Sequence, residues 1–171
     1  MGHEGDATRG AHRGARPGHD GPAIQSRREV SQMVGIVVAT HGRLAEELIA
    51  TAEGIVGRLE GCRAISVGAD SSMDEARTRL GEAIAAVDAG QGVLVLTDMF
   101  GGTPANLALT FLDDKIEVVT GVNLPMLLKL ATARAEELSV AAAAELIAGY
   151  GQKNITLASE LLRTRARTQR R

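Results

Sequence analysis

Four short aliphatic runs alternate with segments of helical periodicity, and this alternation constrains the fold more than any other feature of the chain. The runs are VGIVVAT, RAISV, GVLVLTD and IEVVTG, at residues 34–40, 63–67, 92–98 and 116–121. Continuous apolar runs are typical of parallel strands buried on both faces, and parallel strands are joined by helices. The sequence therefore predicts an α/β fold, a doubly wound and mostly parallel sheet with helices on both faces.

Apolar residues at helical spacing mark the segments between these runs. The first stripe consists of Leu44, Leu48, Ala52, Ile55 and Leu59. The second consists of Met73, Ala76, Leu80, Ile84 and Val87, with Ser71 or Ser72 as its cap. Thr103 and Pro104 predict the start of a short helix, because proline is favoured in the first turn. LPMLLKLATARA and SVAAAAELIAGY predict two further helices.

The two ends of the chain differ in composition from its middle. Residues 1–32 are rich in Gly, Arg and His and lack periodic apolar residues, which predicts a disordered leader. Residues 33–161 are expected to form one domain, and residues 162–171 a basic tail. Just before the tail, KNITLASELL fits either a short strand running into a helix or one helix with a frayed start.

Charge and composition exclude several classes of function. The net charge is −2 and the only aromatic residues are Phe100, Phe111 and Tyr150, which argues against nucleic-acid binding. Cys62 is the single cysteine, so neither an intrachain disulfide nor a thiolate metal cluster is expected. The chain has neither an apolar run of about 20 residues nor a signal-peptide pattern, which predicts a cytoplasmic protein.

Two polar residues stand at the ends of predicted strands. His41 follows the first strand and Asp98 closes the third. In open α/β sheets, ligands bind beyond the carboxyl ends of strands, where the strand order reverses. If the strand order is 2-1-3-4, His41 and Asp98 share one crevice at that point. An aspartate bonded to one imidazole nitrogen fixes the tautomer and leaves the other nitrogen as a nucleophile.

Small residues and a helix start surround this pair. Gly42 allows close approach of the backbone, and the amides that open the helix at Arg43 favour an anion. Gly101 and Gly102 offer further amides and Thr103 a hydroxyl. An imidazole in this setting suits a phosphorylated histidine or a proton-transfer site. The predicted phosphoryl-binding residues are Thr40, Gly42, Arg43, Gly101, Gly102 and Thr103.

Other kinds of site lack their motifs. The chain contains no G-x-x-x-x-G-K-[ST] phosphate loop, no G-x-G-x-x-G after its first strand and no G-x-S-x-G elbow. His41 has no second histidine four residues later, so a zinc site on that helix is not expected. We therefore expect neither a metal nor a cofactor.

Three stretches in order, GIVVATHGRLAEELIATAEGIVG, VLVLTDMFGGTPANLA and VVTGVNLPMLLKL, carry a family resemblance. They resemble the IIA component of the mannose family of the bacterial phosphoenolpyruvate-dependent sugar phosphotransferase system, over roughly residues 33–161. The resemblance implies a phosphotransferase with a phosphohistidine intermediate. His41 would accept the phosphoryl group from the histidine phosphocarrier protein and pass it to a IIB component, with Asp98 supporting the imidazole.

The same resemblance implies an assembly. By this resemblance, the protein is expected to form a homodimer that can exchange a C-terminal strand. NITLA is expected to be that strand, and GVNLPML is expected to lie near the site and the interface. This chain ends after its basic tail, so the IIB component is expected to be a separate chain, and contact with a membrane permease would be peripheral. Met99, Phe100 and Arg43 are candidates for the docking surface, with Phe100 equally compatible with a core anchor.

Alternative functions remain open on the sequence alone. One is a regulator that reports its phosphorylation state through protein contacts without sugar transport. Another is a small-molecule-binding module in which His41 only contacts the ligand. The related phosphoryl donor of dihydroxyacetone kinase has a similar histidine, but FGGTPAN and GVNLPML match the sugar-system pattern instead.

Overall fold

The computed structural model describes residues 33–68, 72–133 and 138–168, so the predicted leader at residues 1–32 lies outside the described residues. Four strands form one sheet: β1 (Gly35–His41), β2 (Cys62–Val67), β3 (Val93–Thr97) and β4 (Ile116–Thr120). All three pairings are parallel, in the order β2-β1-β3-β4. The structure confirms the predicted α/β fold and the strand order 2-1-3-4.

Six helices are present in the described part of the chain. They are α1 (Leu44–Val56), α2 (Met73–Val87), α3 (Thr103–Leu109), α4 (Leu124–Ala133), α5 (Val140–Lys153) and α6 (Ala158–Thr168). Residues of α1, α4 and α5 bury one face of the sheet, and residues of α2 and α3 bury the other. None of the described helices combines the length and the apolar character needed to cross a membrane.

The central strands have no solvent-facing side. Every residue of β3 is buried, and so is every residue of β1 except His41 at its end. Helices cover both faces of these strands, which explains why their sequences are continuously apolar rather than alternating. β1 starts and ends one residue later than predicted, so His41 is its last residue and lies opposite Val67 of β2. The histidine is thus held by the sheet itself.

The predicted stripe of the first helix is partly wrong. Leu44 and Ile55 are 44% and 60% exposed, whereas Ala52 is buried as predicted and Ala45, outside the predicted stripe, is buried as well. The helix ends at Val56, so Leu59, although buried, lies beyond it. A period of 3.6 residues makes adjacent stripes hard to distinguish when small residues can face the core.

The second helix follows its predicted stripe more closely. Ala76, Leu80, Ile84 and Val87 are buried, and only Met73, in the first turn, is exposed. Ser72 is its cap, because its hydroxyl oxygen accepts a hydrogen bond from the Glu75 amide at 3.2 Å. The alternative cap, Ser71, lies outside the described residues.

The segment NITLA is not a strand of this sheet. Residues 155–157 form an irregular connection between α5 and α6, and they pair with none of the four strands. Their apolar side chains face outward: Ile155 is 79% exposed and Leu157 is 66% exposed. In α6, Leu161 and Leu162 are exposed as well. The predicted C-terminal edge strand is therefore absent from the described part of a single chain. Apolar side chains that point into solvent do not anchor residues 155–157 to the sheet.

Candidate active site

Parallel pairing of β1 with β3 brings His41 and Asp98 together at the carboxyl edge of the sheet. Asp98 Oδ2 lies 2.8 Å from His41 Nδ1 and accepts a second hydrogen bond, at 3.0 Å, from the His41 backbone amide. Asp98 Oδ1 accepts a hydrogen bond from the Met99 amide at 3.0 Å. Because an ionised carboxylate only accepts hydrogen bonds, Nδ1 carries a ring proton, and in the neutral imidazole Nε2 is then the nitrogen that presents a lone pair.

The same contacts keep Asp98 ionised. Partial burial favours the neutral acid and would raise the pKa of Asp98. The hydrogen bonds from the His41 ring and amide, the electrostatic attraction of His41 and the Met99 amide outweigh burial, so the pKa lies below its ordinary value. The carboxylate is therefore available as an acceptor at neutral pH.

The Cε1–Nε2 edge of the imidazole lies against Gly102. A Cβ atom built on Gly102 would come within 2.6 Å of His41 Cε1 and 3.2 Å of Nε2. The ring is 46% exposed, against 16% for the Asp98 side chain. The imidazole thus sits between a carboxylate that orients it and a glycine that leaves room for it. Sequence reasoning expected Gly102 to supply an amide and missed this steric role.

The start of α1 is less open to an anion than expected. Thr40 points to the sheet face opposite that of His41, is fully buried, and accepts a hydrogen bond from the Ala45 amide at 2.8 Å on its hydroxyl oxygen. The Gly42 amide donates to the Val67 carbonyl at 3.3 Å. The expected contact between the Thr40 side chain and a phosphoryl group is corrected to a role in placing α1.

Charges near the start of α1 also compete with an anion. Arg43 Nη2 lies 3.3 Å from Glu47 Oε1, with both side chains exposed. Glu46, in the same first turn, accepts a hydrogen bond from the Ser66 hydroxyl. Acidic side chains in a first turn reduce the positive potential of a helix start. This arrangement favours the loop that contains Gly101 and Gly102, hereafter the glycine loop, over the start of α1 as the place for an anion.

The glycine loop lies on the other side of the imidazole. Gly101 adopts a φ of +80°, a region that favours glycine, and Gly102 immediately precedes α3. Thr103, the first residue of α3, is half-buried. Met99 and Phe100 are 55% and 76% exposed, so the structure places Phe100 on the surface beside the histidine rather than in the core.

The GVNLPML stretch supports this edge indirectly. The amides of Gly121 and Val122 both donate to the Thr97 carbonyl at 2.9 Å, one residue before Asp98. Asn123 then accepts a hydrogen bond from the Met126 amide and caps α4. The stretch therefore fixes the end of β3, from which Asp98 extends toward the histidine.

The fold and the site together define a doubly wound α/β domain that presents an aspartate-oriented imidazole at the carboxyl edge of its sheet. A family model, EIIA-man, the PTS system fructose IIA component, matches residues 35–148. The chain belongs to this family, which confirms the resemblance seen in its sequence.

Named relatives agree with this assignment. The mannose-specific EIIAB component of the PTS system of Escherichia coli (strain K12) is 36% identical over 108 residues, which are 62% of this chain and 33% of that protein. The match therefore spans a third of the length of that relative. The fructose-specific EIIA component of Bacillus subtilis (strain 168) is 26% identical over 132 residues, 76% of this chain and 90% of that protein.

Solved structures share the fold. A PTS IIA protein associated with the fucose utilization operon of Streptococcus pneumoniae superposes with a TM-score of 0.69 at 30% identity, covering 76% of this chain and 96% of its own. A mannose/sorbose-specific IIA subunit from Enterococcus faecalis gives 0.65 at 31% identity, covering 72% and 93%.

Gly102→Ala should displace the imidazole, because its Cβ would fall within 2.6 Å of His41 Cε1. The expected result is loss of the Nδ1–Asp98 hydrogen bond, read from the ring ¹⁵N and Nδ1 proton resonances of His41. Gly54→Ala is the control, since no atom lies within 4 Å of a Cβ built there and the residue is inside α1. Unchanged ring resonances in Gly102→Ala would contradict the steric role.

Replacing Asp98 with a residue that does not ionise should make the free energy of unfolding less dependent on pH in the acidic range. A lowered folded-state pKa means that Asp98 contributes stability above its unfolded pKa of about 3.9, and that this contribution is lost as the pH falls through the folded value. The free energy of unfolding should be about 1–3 kcal/mol lower in Asp98→Asn near neutral pH, and the difference should vanish in acid. Urea titrations across this range measure it, and a pH-independent difference would refute the assignment.

Proposed function

We propose that this protein is a phosphocarrier in which Nε2 of His41 accepts a phosphoryl group from the histidine phosphocarrier protein and passes it to a separate IIB component during sugar uptake. The observation that carries the proposal is the Nδ1–Asp98 contact of 2.8 Å on a half-exposed imidazole. Membership of the IIA family supports the same role. Because both exchange partners are expected in the cytoplasm, we assign the protein to that compartment.

The geometry accounts for each step of the transfer. The Nε2 lone pair attacks phosphorus as the nitrogen–phosphorus bond of the donor phosphohistidine breaks, and the donor nitrogen keeps the bonding pair. The ring proton remains on Nδ1, where Asp98 accepts its hydrogen bond. The carboxylate also stabilises the positive charge that develops on the ring. Attack by the IIB nucleophile on the same phosphorus then returns the electron pair to Nε2.

The residues beside the ring suit the transferred group. We assign the phosphoryl oxygens to the amides of Gly101 and Gly102 and to the Thr103 hydroxyl, on the side of the ring that faces Gly102. Gly42 and Arg43 border the other side of the ring and complete the proposed phosphoryl-binding residues. Met99 and Phe100 are exposed next to Asp98, in the position that a partner delivering the group must cover.

His41→Ala should abolish phosphorylation. We expect the unsubstituted chain to gain one acid-labile phosphoryl group when incubated with phosphoenolpyruvate and the general phosphotransferase proteins, measured by intact mass. The substituted chain should gain none, because His41 is the only one of the four histidines outside residues 1–32.

The internal control is the set of those other three histidines, His3, His12 and His19, which remain in the variant. Equal labelling of the variant and the parent would move the acceptor to that segment and refute the role of His41. No labelling of the parent by an active donor system would refute the carrier function for that donor.

We also propose a homodimer in which residues 155–157 add to the partner's sheet. Within the described strands, β4 pairs only with β3, so its outer edge is open to another strand. Ile155 and Leu157 expose apolar side chains directly after α5, whose residues pack on the sheet. A second copy of the chain offers both the open edge and the segment that would cover it.

The double substitution Ile155→Asp and Leu157→Asp should dissociate this dimer, because two carboxylates would then be buried at the joint. Sedimentation equilibrium should give twice the chain mass for the parent and a single chain mass for the variant. Leu112→Asp is the control, since Leu112 is 52% exposed on the loop after α3. A monomeric parent, or a variant that stays dimeric, would contradict the proposed exchange.

A further inference from the structure

Asn106 binds the carbonyl groups of both glycines beside the histidine. Its side-chain Nδ2 donates to the Gly101 carbonyl at 3.3 Å. Its backbone amide donates to the Gly102 carbonyl at 2.9 Å, which is the first main-chain bond of α3 and does not depend on the side chain. The side chain itself is exposed on α3. The residue therefore contributes little packing, and its described contacts are to the loop that borders the imidazole.

These two bonds set the direction of the peptide groups at the glycine loop. The described backbone contains no cis peptide bond, and in a trans peptide the carbonyl and the next amide point in opposite directions. Because the oxygens of Gly101 and Gly102 point to Asn106, the amides of Gly102 and Thr103 point away from it. Gly101, at a φ of +80°, can rotate more freely than other residues, so the loop depends on an external bond for this orientation.

Orientation matters because Gly102 lies against the reacting edge of the ring. Its built Cβ position is 3.2 Å from His41 Nε2. A carbonyl oxygen turned toward a phosphoryl group on that nitrogen would repel it, whereas an amide would attract it.

We propose that Asn106 is a positioning residue for phosphoryl transfer at His41, whose side chain holds the Gly101 carbonyl so that the Gly102 amide is presented to the phosphoryl group. This inference rests on the proposed carrier function. It assigns to Asn106 no contact with the phosphoryl group itself.

The test uses phosphoramidate, a small phosphoryl donor that requires no partner protein. Nε2 attacks phosphorus, the phosphorus–nitrogen bond of the donor breaks, ammonia leaves with the electron pair, and Nδ1 keeps its proton. Docking effects are thereby removed from the measurement. The variants are Asn106→Ala and Asn106→Asp, of which the second preserves the shape of the side chain but lacks the donor.

Asn154→Ala is the matched control. The Asn154 side chain is also exposed, and its Nδ2 donates to a backbone carbonyl, that of Tyr150, at 2.8 Å. It follows α5, on the other face of the sheet from α3. The control thus removes the same kind of hydrogen bond without touching the glycine loop.

We expect Asn106→Ala to slow the labelling of His41 about 5- to 10-fold, as loss of one oriented hydrogen bond implies, and Asn106→Asp at least as much. Asn154→Ala should stay within about twofold of the parent. Phosphorylation should shift the Gly102 amide resonance of the parent strongly, and this shift should be lost in Asn106→Ala, which removes the bond to the Gly101 carbonyl of the same peptide group. The Thr103 amide should behave as in the parent, because the main-chain bond to the Gly102 carbonyl is retained. The Nδ1 proton resonance of His41 should persist, which a general loss of structure would not allow.

Labelling of both Asn106 variants at the parent rate, or an unchanged amide shift, would overturn the inference while leaving the carrier function in place. Failure of both phosphoramidate and the protein donors to label His41 in the parent would overturn the carrier function itself, and with it the role of Asn106. Labelling by phosphoramidate but not by the protein donors would refute only the proposed partner.

Discussion

The parallel pairing of β1 with β3 is the constraint on which the rest of the site depends. It places Ala39 opposite Thr97, so His41, the last residue of β1, and Asp98, directly after β3, come together at the same edge of the sheet. Bonds from Gly121 and Val122 to the Thr97 carbonyl then hold the end of β3. With both central strands buried, neither end can shift without disturbing the core. The main chain therefore brings His41 to this edge of the sheet, and the contact with Asp98 then orients its ring.

The residues on the two sides of the imidazole differ in their contacts and in the space that they leave. On the side of α1, the Gly42 and Ala45 amides already have partners within the fold, and two glutamates lie in the first turn. On the side of α3, Gly102 adjoins the ring, and the Asn106 side chain donates to the Gly101 carbonyl. The first side thus secures the histidine, while the second leaves space beside it for the proposed phosphoryl group.

Periodicity was enough to predict the strands and the parallel sheet. The order 2-1-3-4 was assumed as one common to this class of fold, and the meeting of His41 with Asp98 followed from that order and from their places at strand ends. They did not predict that Thr40 serves α1, because the face to which a strand-end residue points depends on register. The predicted apolar stripe of α1 is partly wrong because small residues of this helix also face the core. NITLA is apolar yet exposed, and it does not form a strand within one chain. Asn106 had no signal of its own, since its role depends on a carbonyl orientation that only coordinates reveal.

One carboxylate oxygen bonds both the backbone amide and the ring of His41, and this has a consequence for regiochemistry. Turning the ring by half a revolution about its Cβ–Cγ bond would put the Cδ2 carbon in the place of Nδ1 and break the ring contact with Asp98. The main-chain bond would keep the carboxylate in place, so the flipped ring would leave that oxygen without its second donor. With Nδ1 thus committed to Asp98, only Nε2 is open, so the proposed phosphorylation of His41 would give a single isomer of phosphohistidine, and an acceptor at this edge would need to recognise only that isomer.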